Sequence, residues 1–98
     1  MDKLQVIKLL RAHENELREA GIVHLRIFGS VARGEASSES DVDLMAEFEK
    51  SKRLTLVKIG TLQNRLTDLL GAPVELSSSE WMLEPVRASA LREAVLAF

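Results

Sequence analysis

The residues with most to offer chemically lie in two short runs of this 98-residue chain: Phe28-Gly29-Ser30-Val31-Ala32-Arg33-Gly34-Glu35 and Ser40-Asp41-Val42-Asp43-Leu44. Gly29-Ser30 stands at a strand-to-helix junction. Glycine lets a ligand approach the backbone, and the amides that follow point out of a helix N-terminus, where an anion is favoured by about 0.3–1 kcal/mol per charge. The Ser30 hydroxyl can add a hydrogen bond to a phosphate oxygen. Taken alone, a Gly-Ser corner is more often only a turn.

Asp41 and Asp43 add weight to it. Alternate residues of a strand face the same way, so these carboxylates project together, with their backbones about 6.6 Å apart. Without a cation the pair would repel and raise each other's pKa. A shared Mg²⁺ relieves the repulsion and keeps positions open for phosphate oxygens. Val42 and Leu44 point the other way, into the core. Val74-Glu75-Leu76 repeats the pattern, with Glu75 between two core-facing residues. A third carboxylate is what a two-metal site requires, one ion holding phosphates and the other acidifying an attacking hydroxyl. Each acid also has an ordinary reading: Asp-x-Asp as a solvated strand edge, Glu75 as an exposed strand residue.

The elements that must carry these groups are legible from periodicity. Residues 2–20 read as a helix capped by Asp2, with Leu4, Ile7, Leu10, Glu14 and Leu17 on one stripe and Gly21 at its end. Residues 22–28 alternate as a strand, a helical turn is expected over 31–33, and 35–40 is a polar loop. A second strand follows at 41–48. Residues 54–70 read as a long helix with the stripe Leu56, Ile59, Leu62, Leu66 and Leu69, stopped by Gly71. Residues 74–76 make a third strand, a serine among 77–79 caps a short helix, and 84–95 is helical with Val86, Ala90, Leu91 and Ala94 on one side. Strands alternating with helices predict an α/β (α+β) fold: a small mixed β-sheet with helices packed mainly on one face.

Composition narrows the class of function. The length leaves room for one domain, residues 1–98. An apolar share of 46% and a charged share of 29% argue against disorder. With no cysteine, disulfides, thiolate metal sites and cysteine nucleophiles are all excluded, and a reducing cytoplasm is the expected location. No apolar run approaches the roughly 20 residues that span a bilayer, and the start Met1-Asp2-Lys3-Leu4-Gln5 does not look like a signal peptide. The net charge of −2 disfavours a surface built to neutralise nucleic-acid phosphates, and Phe28, Phe48, Trp81 and Phe98 are too few for a base-stacking platform. One nucleotide held through a metal ion remains compatible with these numbers.

Gly29-Ser30 followed after ten residues by Asp41-x-Asp43 resembles the signature of the DNA polymerase beta nucleotidyltransferase superfamily. The forms Phe28-Gly-Ser-Val-Ala-Arg-Gly-Glu35 and Ser40-Asp-Val-Asp-Leu44 are similar to its smallest, MntA-type members, and the likeness covers nearly the whole chain. The resemblance implies the nucleotidyltransferase fold, with Gly29 and Ser30 on the nucleotide's phosphates and Asp41 and Asp43 on magnesium. Arg33 serves either the phosphate or the loop that carries it. Glu75 takes the third carboxylate position, where the family commonly has aspartate; the longer side chain is a departure. The implied reaction is Mg²⁺-dependent, with two ions and ATP as substrate, and transfers AMP to a tyrosine hydroxyl of a helical HEPN-type toxin. No direct contact with nucleic acid or membrane is implied. The alternatives are a catalytically weak protein that neutralises its partner by masking, and a nucleotidyltransferase for small molecules such as aminoglycosides.

A few residues stand apart. His24, Arg26 and Phe28 share one face of the first strand, opposite Val23, Leu25 and Ile27, which would let Arg26 pair with Glu75 or touch a phosphate. His13 reads as a surface residue. Trp81, Met82 and Leu83 are expected at the core edge, and the apolar end Leu91, Val95, Leu96, Phe98 is expected to dock on the domain or on a partner.

Overall fold

Alternating burial builds the centre of the molecule. In a computed structural model, which describes residues 1–37 and 40–98, strand β1 (Ile22–Phe28) buries Leu25 and Ile27, and strand β2 (Val42–Phe48) buries Val42, Leu44, Ala46 and Phe48. The two run antiparallel, with Ile27 opposite Leu44 and Phe28 opposite Asp43. Strand β3 (Val74–Ser78) lies parallel to β2 and sets Glu75 beside Asp43. Strand β4 (Val95–Leu96) pairs antiparallel with β1, completing a mixed sheet of order β3-β2-β1-β4 among the described residues.

Helices α1 (Lys3–Ala12), α2 (Glu14–Glu19) and α4 (Leu56–Leu70) cover one face of this sheet. Val6, Leu10, Leu17, Leu62, Leu66 and Leu70 join the inward residues of the strands in one apolar cluster. The short helix α3 (Gly29–Arg33) follows β1 directly, and α5 (Glu84–Glu93) lies against α3 and β1. Met45 and Ala90 are buried outside the main cluster, so the opposite face has a small apolar layer of its own. The expected mixed sheet with helices mainly on one face is what the chain forms.

Asp2 caps α1 as expected, in a reciprocal box with Gln5. Several details differ from the sequence reading. The first helix breaks at His13, whose amide bonds Leu10 O and whose ring bonds Leu9 O at 3.0 Å, ending α1 before α2 begins. Val6 and Leu10 of α1 and Leu17 of α2 face the core, while Leu4 is 74% exposed. In α4, capped by Thr55, the buried stripe is Leu62, Leu66 and Leu70; Leu56 points to solvent, and Ile59 and Leu69 are only partly covered. In β1 a register shift between Ile22 and His24 puts Ile22 into the core in place of Val23, as an inserted residue does. The third strand runs on to Ser78, and a 3₁₀ turn at Ser79–Trp81 follows without a side-chain cap. The polar loop read over 35–40 includes Ser38 and Glu39, which lie outside the described residues.

The largest departure is at the C-terminal end. The last helix stops at Glu93, and Val86 and Leu91 stay exposed, with Ala90 alone buried on that helix. The chain then turns extended and adds β4 to the open edge of β1. Leu25 N–H donates to Phe98 O at 3.1 Å, Ala97 N–H donates to Leu25 O at 2.8 Å, and Arg11 Nε donates to Ala97 O at 2.7 Å. Ala97 and Phe98 are buried, and the Arg18 guanidinium lies 5.0 Å from the Phe98 ring centroid. Val95 and Phe98 therefore dock on the chain's own core, while Leu91 and Leu96 stay exposed. Phe98→Ala should destabilise the protein by about 3 kcal/mol, near the lower end for a buried phenylalanine, in a urea-unfolding measurement. The amide of Leu25 should lose protection from hydrogen exchange in the same variant.

Candidate active site

The candidate site forms where β1, β2 and β3 end side by side. Asp43 is opposite Phe28 across the β1–β2 ladder and opposite Glu75 across the β2–β3 ladder. Neighbouring strands lie about 4.8 Å apart, so the Asp43 and Glu75 side chains leave one face of the sheet as near neighbours. Asp41 sits just before the strand begins, at Val42, and is exposed. Glu75 is exposed as well, while Asp43 is half-buried.

Gly29 makes the close approach possible. A Cβ built on it would lie 3.2 Å from Asp43 Cγ and 3.3 Å from Asp43 Cβ, with a carboxylate oxygen closer still. The Asp43 carboxylate thus rests over the bare Cα of the Gly-Ser corner. Gly29 also has φ +71°, a left-handed conformation that other residues seldom adopt. Both constraints demand glycine, and together they bring one acid of the strand and the first amides of α3 into a single site. Helix α3 starts at Gly29, two residues before the helical turn expected from the sequence, which leaves Ser30 in its first turn.

Arg33 lies at the other end of α3. Its Nε donates to Glu35 at 3.0 Å, and one terminal nitrogen donates to both oxygens of Glu93 at 3.1 Å. Glu93 in turn accepts from Gly29 N–H at 3.2 Å. Of the two roles open to Arg33, fixing the loop is the one its partners display. Glu93 escaped the sequence reading because it arrives from the end of α5, sixty residues along the chain from Arg33, and no local spacing marks it. Arg26 bonds Glu47 at 2.6 Å, a diagonal same-face neighbour on β2 that lies on the side of Met45 away from Asp43. The expectation that it pairs with Glu75 is therefore wrong: β2 stands between β1 and β3, and an acid closer at hand takes the guanidinium.

Electrostatics mark the cluster. Burial pushes the Asp43 carboxyl above its ordinary range, the charges of Glu75 and Asp41 push it further, Arg33 opposes the shift, and Glu93 adds to it. A half-buried carboxylate crowded by neighbouring acids offers a place for a divalent cation. Among the described residues, no three of these side chains close into a cage that could hold an ion unaided. The donor set suits magnesium if phosphate oxygens and water complete the coordination, since this ion keeps several of its own waters. Two hollows flank α3, one lined by Asp2, Lys3, Gln5, Val31, Gly34 and Ala36, the other by Phe28, Pro85, Val86, Ser89, Ala90 and Glu93, each of about 360 Å³. Neither includes Asp41, Asp43 or Glu75; Asp41 and Glu75 are exposed beside the half-buried Asp43.

This fold and corner define a nucleotidyltransferase. The model of the nucleotidyltransferase domain family matches residues 10–96, and the chain belongs to that family of enzymes. It is 37% identical over 92 residues to the protein adenylyltransferase MntA of Thermococcus cleftensis, covering 93% of this chain and 91% of that protein. A solved structure assigned as a minimal nucleotidyltransferase is also 37% identical, with a TM-score of 0.74 over 97% of this chain and 95% of its own. An antitoxin structure, MNT in complex with a tri-AMPylated HEPN toxin of Shewanella oneidensis, aligns with a TM-score of 0.63 over 90% of this chain and 71% of its own; at 14% identity the likeness is one of fold. Among the described residues no helix is long and apolar enough to cross a membrane.

The raised pKa of Asp43 has a consequence for stability. A carboxyl whose folded value lies above its unfolded value costs stability once it is ionised, and that cost disappears as pH falls through the folded value. Asp43→Asn should therefore melt higher than the parent chain at pH 7 in nucleotide-free, metal-free buffer. The difference should shrink as pH is lowered toward the carboxylate range, which a calorimetric pH series would record.

Proposed function

We propose that residues 1–98 act as one minimal nucleotidyltransferase domain that moves AMP from ATP to a tyrosine hydroxyl of a helical HEPN-type toxin, and so serves as its antitoxin. The observation that carries the reading is the Asp43 carboxylate lying over Gly29, with Glu75 as its partner on the next strand. The kinship with MntA and the fold shared with the MNT antitoxin support the acceptor.

In this reading Gly29 N–H, Ser30 N–H and the Ser30 hydroxyl hold phosphate oxygens, and Arg33 keeps the loop in place. Asp41, Asp43 and Glu75 would hold two Mg²⁺ ions, whose contribution is to neutralise phosphate charge and favour ionisation of the attacking hydroxyl. The acceptor oxygen forms a bond to the α-phosphorus, the bond to the β-phosphate oxygen breaks, and pyrophosphate leaves. The hydroxyl proton passes to a neighbouring carboxylate or to water. No covalent enzyme intermediate is required, because positioning and charge supply most of the catalysis.

The open setting of the acids agrees with a macromolecular acceptor. Asp41 and Glu75 are exposed, and the flanking hollows do not enclose them. A partner surface delivering the tyrosine would also exclude water from the reacting atoms. Incubating the protein with ATP labelled at the α-phosphate, Mg²⁺ and a HEPN-type partner should place label on a partner tyrosine, located by mass spectrometry. Asp43→Asn should reduce the rate at least 100-fold, a loss typical of a removed charge-stabilising group. A stable complex without any label would instead mean neutralisation by masking.

A further inference from the structure

The corner that would receive a phosphate already has an anion on it. Glu93, the last residue of α5, accepts from Gly29 N–H at 3.2 Å and takes one Arg33 nitrogen with both carboxylate oxygens at 3.1 Å. One backbone N–H provides one hydrogen, so a phosphate oxygen bound there must displace the carboxylate. Two anions within hydrogen-bond reach of one guanidinium also repel.

We infer that Glu93 stands in for a phosphate group in the nucleotide-free protein and sets how tightly the triphosphate binds. The inference rests on the reading of Gly29-Ser30 as a phosphate site. Three features of the structure make the exchange feasible. The chain turns extended at Ala94, directly after Glu93, so the acid lies at a helix end and can swing aside while α5 stays in place. Its side chain is 34% exposed, which leaves it a path into water. Arg33 has a second anchor, Glu35, on Nε, so its terminal nitrogens stay presented to the corner after Glu93 departs. A simple strut would need none of these.

The two roles give opposite signs. If Glu93 competes with phosphate, removing its charge tightens nucleotide binding; if it braces the loop, removing it weakens binding. The measurement is calorimetric titration of Mg²⁺ and AMP-PNP into the parent chain and into Glu93→Gln, Glu93→Ala and Glu35→Gln, with thermal melting to show that each variant is folded. Both Glu93 variants should bind about tenfold tighter, the size of one charge-assisted hydrogen bond no longer surrendered. Glu35→Gln removes an equal charge from the same arginine without freeing Gly29, and it should bind no tighter than the parent. Turnover should show the same split, with a lower KM and little change in kcat. Equal or weaker binding by both Glu93 variants overturns the inference, as does equal tightening by Glu35→Gln, which would reduce the effect to net charge. If the parent binds and Glu93 variants do not gain, the phosphate-site reading stands and this inference alone falls. If neither the parent nor any variant binds the nucleotide, the two fall together.

Discussion

The site depends on one close approach, the carboxylate of Asp43 over the Cα of Gly29. Any larger residue at position 29 would drive a Cβ into that carboxylate, and the left-handed backbone would be strained as well. This contact ties the β1–α3 corner to the start of β2. The parallel pairing of β2 with β3 then sets Glu75 alongside. A glycine-serine turn and an acidic cluster, each common and individually uninformative, become one candidate site because a glycine lets them meet.

The cost of this arrangement is electrostatic. Asp43 is partly desolvated beside Glu75 and Asp41, with Glu93 adding to the effect, and only Arg33 acts in the opposite direction. The scaffold beneath bears that cost: the inward faces of β1 and β2, with Leu25, Ile27 and Leu44 fully buried, are pinned between α1, α4 and the C-terminal edge strand. The like-charge crowding is tolerable because β1 and β2 are each flanked by a paired strand on both sides.

The sequence carried the chemistry further than it carried the packing. Alternation over a strict period of two paired Asp41 with Asp43, turned Glu75 outward and marked β1 and β2, the latter one residue early. The grouping of these acids with Gly29 and Ser30 rested on the resemblance to the nucleotidyltransferase signature. Helix phase was harder to read. Leu4 and Leu56 fit their stripes but face water, since the buried faces of their helices run through Val6 and Leu10 and through Leu62, Leu66 and Leu70. The two-residue strand β4 has no periodicity of its own; it exists because β1 offers an unpaired edge and Phe98 finds room in the core. Arg26 and Glu93 found their partners through tertiary proximity across β2 and α5, which no local spacing encodes.

The most direct test of the central claim uses a paramagnetic ion in place of magnesium. In an amide NMR spectrum of the protein with AMP-PNP, small additions of Mn²⁺ broaden resonances near the bound metal first. The account predicts early loss of Gly29, Ser30, Val42, Asp43 and Glu75, with Leu17 and Leu66 on the far side of the sheet persisting, and abolition of the pattern in Asp43→Asn. Broadening centred elsewhere, or the same broadening in Asp43→Asn, would contradict the claim that corner and carboxylates bind one metal–nucleotide complex.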